Sequence, residues 1–185
     1  PQVRLLIEDP ESKVPTSLRP MLLAACEEVE SLNARIKQAE RQLEALADET
    51  STIAKLRSIP GVGLMTGTAL LAFVGDVKRF PSGRHFASYL GLTPKEHSSG
   101  TRRRQGRISK RGDRYLRMLL IHGARSVICH AKRAKTHDQL RTWVLKLQDR
   151  TRHNKAAVAL ANKLARIVWA VWRRDRAYES TQPAA

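Results

Sequence analysis

The sequence predicts an all-α protein: a long coiled-coil helix, then a helical domain that contains a helix-hairpin-helix-like element and a basic loop. Three observations point there. Apolar residues recur at helical spacing along several long segments. The period-two alternation of strands is nearly absent. From Met21 onward, apolar residues alternate in steps of three and four, the spacing of a heptad.

Each element follows in chain order. Residues 1–20 hold Pro1, Pro10, Pro15 and Pro20, whose fixed φ and missing amide hydrogens interrupt a continuous helix, so this segment is expected to be a linker. Residues 21–56 form the coiled-coil helix, with Leu22, Val29, Ile36, Leu43 and Thr50 at one core position and Ala25, Leu32, Ala39, Leu46 and Ile53 at the other. The alternative is an amphipathic helix lying on its own domain, because alanines and a threonine weaken the seam. Either way the segment serves assembly rather than chemistry.

The helical domain spans residues 57–178, and residues 179–185 are expected to fray. Its first element is Ile59-Pro60-Gly61-Val62-Gly63 followed by an apolar run from Leu64. A Pro-Gly turn between two helices matches a helix-hairpin-helix: Gly61 and Gly63 would let the backbone approach a phosphate, and the amides opening the next helix are unpaired donors. A plain helix-to-helix turn uses the same residues equally well. Leu70–Val74 is a buried turn closed by Gly75-Asp76, and Ser82 caps a helix that sends Phe86, Tyr89 and Leu90 inward. Residues 91–112 read as a loop with room for a short hairpin. Three helices complete the domain, over 114–132, 137–147 and 155–176, with Trp143, Trp169 and Trp172 expected in or near the core.

The 185 residues include 34 Lys and Arg against 17 Asp and Glu, a formal net charge of +17. The charge is uneven, with residues 1–57 netting −2 and residues 58–185 netting +19. Such asymmetry separates a protein-contacting part from a polyanion-contacting part. A charged fraction of 28% and the lack of any run of eighteen apolar residues exclude an integral membrane protein of the helical type. Cys26 and Cys129 suggest neither a disulfide framework nor a zinc knuckle, consistent with a reducing, cytoplasmic compartment. The six histidines follow no metal-ligand spacing, so no metal residues are assigned, and no Walker loop or dinucleotide fingerprint is present.

The densest chemistry lies in the loop. Arg102, Arg103, Arg104, Arg107, Lys110, Arg111, Arg114 and Arg117 crowd around one acid, Asp113. Such a cluster repels itself unless counterions or nucleic-acid phosphates neutralise it, and arginine forks match phosphate geometry. A solvated charged loop is the plainer alternative. Ser98 and Ser99 stand before Gly100, where a hydroxyl in an open turn could reach a phosphorus, provided something accepts its proton and cations hold the transition-state charge. An ordinary Ser-Ser-Gly turn has the same composition.

Taken in order, the motifs resemble a known family. Ile-Pro-Gly-Val-Gly at 59–63, Gly-Asp at 75–76, Arg-Phe at 79–80, Tyr-Leu-Gly-Leu-Thr-Pro at 89–94, Ser-Gly at 99–100 and Lys-Arg-Gly-Asp-Arg-Tyr-Leu-Arg at 110–117 resemble the C-terminal transposase domain of the insertion-sequence-110 family, over roughly residues 53–134. The resemblance implies a site-specific DNA recombinase with an N-terminal RuvC-like domain, a coiled-coil linker and this serine-bearing domain, guided by a structured RNA. It implies Ser99 as the nucleophile of a phosphoserine link, with Ser98 its nearest competitor. It also implies magnesium on an acidic tetrad of the RuvC-like domain, and no cofactor on this chain. No such tetrad can be drawn from these residues, and the chain opens at Pro1, so the expectation is the later part of a longer protein that binds nucleic acid without cutting it alone. The expected partners are DNA, a guide RNA and a second copy through the coiled coil, with no membrane. A non-catalytic nucleic-acid-binding module is the competing function, and a pure assembly scaffold leaves the +19 of residues 58–185 unexplained.

Overall fold

The computed structural model describes residues 2–102, 104–134 and 138–180. Among the described residues, regular structure is mostly helical, as the periodicity predicts, with one two-stranded sheet. The chain divides into two compact units, Pro1–Ala45 and Leu46–Ala185.

In the first unit, α1 (Gln2–Glu8) fits between the prolines, and a 3₁₀ turn follows at Thr16–Leu18. No continuous helix runs through residues 2–18, but short helical pieces fit between the prolines. Seven residues suffice for two turns, and Pro20 falls in the opening turn of α2 (Arg19–Asp48), where its missing amide hydrogen has no helical partner to lose. Arg4 pairs with Glu8 within α1 at 3.3 Å and draws α1 onto α2 through Glu27 and Glu30 at 3.8 and 3.5 Å. The hydrogen bond to Glu8 and the charges of its neighbours raise the Arg4 pKa further. Arg19 fastens the intervening loop, donating to the Val14 carbonyl and to Ser12 Oγ, both at 3.3 Å. Ile7 is buried.

The long helix also differs from its expected span of 21–56. It stops at Asp48; Thr50 is extended, and α3 (Ser51–Arg57) starts anew. The heptad spacing continues through Thr50 and Ile53, but burial decides: Ile53 and Leu56 are core residues of the second unit, where α3 packs on α4 (Leu64–Val74) and on α8 (His153–Arg174).

Helix α8 is the centre of the second unit. Ala156, Ala157, Leu160, Ala161, Leu164, Ala165 and Val168 are fully buried along one side of it. Around them lie α3, α5 (Gly83–Tyr89), α6 (Arg114–Ala131) and α7 (Gln139–Arg150). Phe86 and Leu90 are buried as expected, whereas Tyr89 is 39% exposed, correcting its inward placement. Its ring rests 5.0 Å from that of Phe80, with the Arg79 guanidinium 4.9 Å from its centroid. The three tryptophans are half-buried, and Trp169 Nε1 donates to the Phe80 carbonyl at 3.0 Å. Asp138 caps α7, accepting from the Arg141 amide at 2.7 Å; His137, the expected first residue of that helix, lies outside the described residues. After α8 the chain returns to α3, with Asp175 2.6 Å from Lys55 and the Tyr178 amide 2.7 Å from Ser58 Oγ. Of the expected frayed tail, residues 181–185 lie outside the described residues.

Candidate nucleic-acid interface

Residues 91–112, expected as a loop with room for a hairpin, contain one. Strand β1 (Pro94–Glu96) pairs antiparallel with β2 (Gln105–Ile108), with Pro94 opposite Ile108 and Glu96 opposite Gln105. The register shifts between those pairs, so the ribbon bends. Pairing resumes towards the tip, where the His97 amide donates to the Arg104 carbonyl at 2.9 Å. Ser99 and Arg102 then close the ribbon by exchanging backbone hydrogen bonds of 3.2 and 3.1 Å. Gly100 and Thr101 make the turn, and Gly100 has φ +55°, a conformation that side chains with a Cβ rarely adopt. The Ser-Ser-Gly sequence is thus a turn sequence, and the turn sets Ser99 in the last paired position before the tip.

The two serines differ in what holds them. Ser98 donates its hydroxyl to the Glu96 carboxylate and accepts from the Arg104 amide at 2.9 Å. Its oxygen is committed to shaping the hairpin. Ser99 is exposed, and among the described residues its hydroxyl has no hydrogen-bond partner. Glu96 was not singled out from the sequence. Its place two residues before Ser98 is the only signal that could have marked it.

Arg102, Arg104, Arg107, Lys110, Arg111 and Arg114 are all exposed, and among the described residues none of them forms an ion pair with a carboxylate. Arg102 faces Ser99 across the turn, Arg104 follows on the returning chain, and Arg107 lies within β2. Lys110 adopts φ +56° and donates its amide to the Gly91 carbonyl at 3.0 Å, fixing the base of the hairpin. Asp113, the one acid of the cluster, accepts from the Leu116 amide at 2.7 Å and caps α6. Arg103 lies outside the described residues.

Arg117 stands apart from this set. It is buried, and its Nη1 donates to the carbonyls of Leu90, Gly112 and Asp113 at 3.2, 3.0 and 3.3 Å. It secures the junction of α5 and α6 rather than facing a phosphate.

Gly61 and Gly63 lie elsewhere again. Gly61, at φ +83°, sits so close to α6 that a Cβ would come within 2.7 Å of the Gly123 carbonyl oxygen. Gly123 is nine residues along α6 from Arg114, about 14 Å at the helical rise. Gly63 is exposed at the start of α4, with open space around it. Serines and cations therefore gather on the hairpin and its base, while the glycine turn forms a separate surface.

The magnesium implied by the resemblance finds no fit here. Among the described residues no three His, Cys, Asp or Glu side chains come together around a possible ion. Glu96 is engaged by Ser98, and Asp113 by the α6 amide. Nor is any described helix long and apolar enough to cross a membrane.

Comparison with known proteins gives this geometry a context. The model of the transposase IS116/IS110/IS902 family matches residues 53–140, from α3 into α7. These residues are a transposase domain of that family. The transposase domain thus contains the glycine turn, the hairpin and all of α6. A probable family 20 transposase of Pseudomonas aeruginosa is 43% identical over 89% of this chain and 48% of its own length. The transposase for insertion sequence element IS1111A of Coxiella burnetii is 43% identical over 75% of this chain and 38% of its own. A pilin gene-inverting protein of Moraxella lacunata is 33% identical over 67% and 38% respectively. The chain spans about half or less of the length of these relatives.

Proposed function

We propose that this chain is the serine-bearing part of a DNA transposase, and that Ser99 carries the covalent step. The free Ser99 hydroxyl, exposed at the tip of a hairpin edged by unpaired arginines, is the observation that supports it. In the proposed step, Ser99 Oγ forms a bond to a strand phosphorus, and the bond from that phosphorus to a sugar oxygen breaks. The sugar oxygen gains a proton as the serine loses one, and attack by a sugar hydroxyl on the phosphoserine rejoins a strand. The number of phosphate ester bonds is conserved throughout, which suits rearrangement of DNA. The printed names of the relatives, transposases and an inverter of a pilin gene, are of that kind.

The cations hold the phosphates and the charge of the five-coordinate state. If the six described loop cations contact phosphates, log K falls with log salt with a slope of about −5. Magnesium would be held by carboxylates outside the residues described, and no step is assigned to it. DNA, a guide RNA and a second copy of the chain are the proposed partners. For the second copy the support is the apolar stripe of α2, on which Val29, Leu32 and Ile36 are exposed.

Ser98 engaged by Glu96 and Arg104 also suits a non-catalytic module in which the serines only shape the turn. Trapping separates the two. In the longest natural polypeptide carrying this chain, a DNA adduct resistant to denaturation should form with the native sequence. Ser99→Ala should abolish it and leave DNA binding within about twofold; Ser98→Ala should lower it about tenfold through hairpin distortion. A persistent adduct in Ser99→Ala removes Ser99 from the role.

A further inference from the structure

A groove of about 1510 Å³ opens beside the hairpin, between β2 and the side of α8 that faces away from the core. Its floor is apolar, formed by Ile108, Ile121, Val158 and Ile167 with Trp143 beside them. Among the described residues, six cations line it, Arg107, Lys110, Arg125, Lys155, Lys163 and Arg166, and no carboxylate does. A surface so one-sided in charge is complementary to a polyanion. A duplex presents phosphates but keeps its bases inside, and leaves an apolar floor unused. An unpaired strand uses both, with phosphates on the cations and base faces on the floor.

We propose that this groove holds an unpaired stretch of nucleic acid continuous with the strand at Ser99. The inference rests on the assignment of the hairpin to DNA. Arg107 belongs to both surfaces, because β2 carries the hairpin's cations on towards the groove wall. Lys163 is the most telling residue. Its ammonium lies 4.2 Å from the centroid of the Trp143 ring, and burial first, then the charge of Arg166, lowers its pKa. No carboxylate is among the described residues lining the groove, so a phosphate seated there would supply Lys163 and Arg166 with a counter-charge. Arg125 is steadied by Asn154, whose Oδ1 accepts from Nη2 at 3.4 Å.

The test measures fluorescence anisotropy of a labelled dT oligomer and of a duplex of equal length, in the full chain. Replacing Lys155, Lys163 and Arg166 together by Gln should weaken the dT oligomer at least tenfold and flatten its salt slope by about two to three. The duplex should weaken less than threefold, and Lys163→Arg alone should bind the oligomer like the native chain. Circular dichroism and the thermal midpoint verify that the triple variant is folded. If it is not, photocrosslinking of iodouracil oligomers to the native chain decides: crosslinks within residues 154–170 support the groove, and crosslinks confined to 95–114 overturn it. A folded triple variant that binds dT normally, or loses duplex equally, also overturns the groove. These outcomes are independent of the Ser99→Ala adduct. Loss of the groove leaves the serine assignment standing, and survival of the adduct in Ser99→Ala leaves the groove's binding measurable.

Discussion

Under the proposed function, Lys110 serves the fold and the ligand in conflicting ways. Its φ of +56° puts a side chain in the left-handed region, at a cost of about 1–2 kcal/mol. Glycine adopts that conformation without strain, although the unfolded chain gains entropy. Lys110→Gly should therefore leave the thermal midpoint unchanged or raise it by a few degrees, while weakening nucleic-acid binding several-fold and reducing the magnitude of the salt slope by about one. A fall in both stability and affinity would mean that the lysine side chain supports the hairpin base directly. The sequence made Lys110 visible as a cation among cations, just as it made Ser99 and the arginines visible, because residue type and crowding are written in the string. It could not show Arg117 turning inward to three carbonyls, since an arginine's partners depend on where the chain ends of α5 and α6 meet. Lys163 and Arg166 were hidden for the opposite reason. In the string they are polar positions of an amphipathic helix, and only the return of β2 beside α8 gathers them with Arg107.

Among the elements, the helical segments were legible wherever one face meets the core, as in α6 and α8, whose apolar periodicity the burial follows. Boundaries were legible only where local chemistry alone sets them. Asp113 caps α6 in the way its residue type suggests, but the heptad pattern ran past Thr50 because Ile53 keeps the spacing while serving another core. The contact between Gly61 and Gly123 is a second feature that spacing does not reveal. The two backbones approach so closely that a Cβ on Gly123 would overlap the Gly61 carbonyl oxygen. Gly123→Ala should push the turn between α3 and α4 away from α6 and destabilise the second unit by about 1–3 kcal/mol, the usual range for overpacking a tight core. Urea unfolding should show a lower midpoint with an unchanged slope. An unaltered midpoint would mean that the turn yields freely, which its buried neighbours Ile59 and Val62 argue against.

At the scale of the whole molecule, the charge division and the exposed stripe point to different partners. The second unit carries the cations and the hairpin, while the first presents Val29, Leu32 and Ile36 at 57%, 45% and 55% exposure along one helix. Burying a fully exposed side chain of this kind contributes about 1.5–3 kcal/mol, and about half of each surface is left to bury, so the three give roughly 2–5 kcal/mol per chain. Association itself costs about 4–15 kcal/mol, so these three alone sustain at most a marginal dimer. Leu22 and Leu43, half-buried on the same heptad, extend the seam and bring a stable assembly within reach. Sedimentation velocity at tens of micromolar should therefore show an oligomer of the native chain, and Val29→Asp with Ile36→Asp should give a monomer, because two buried carboxylates lack partners in such a seam. The thermal transition of the second unit should survive in that variant, since its core at Leu160, Leu164 and Phe86 contains no residue of the stripe. A native chain that sediments as a monomer would remove the stripe from the role of a self-association seam.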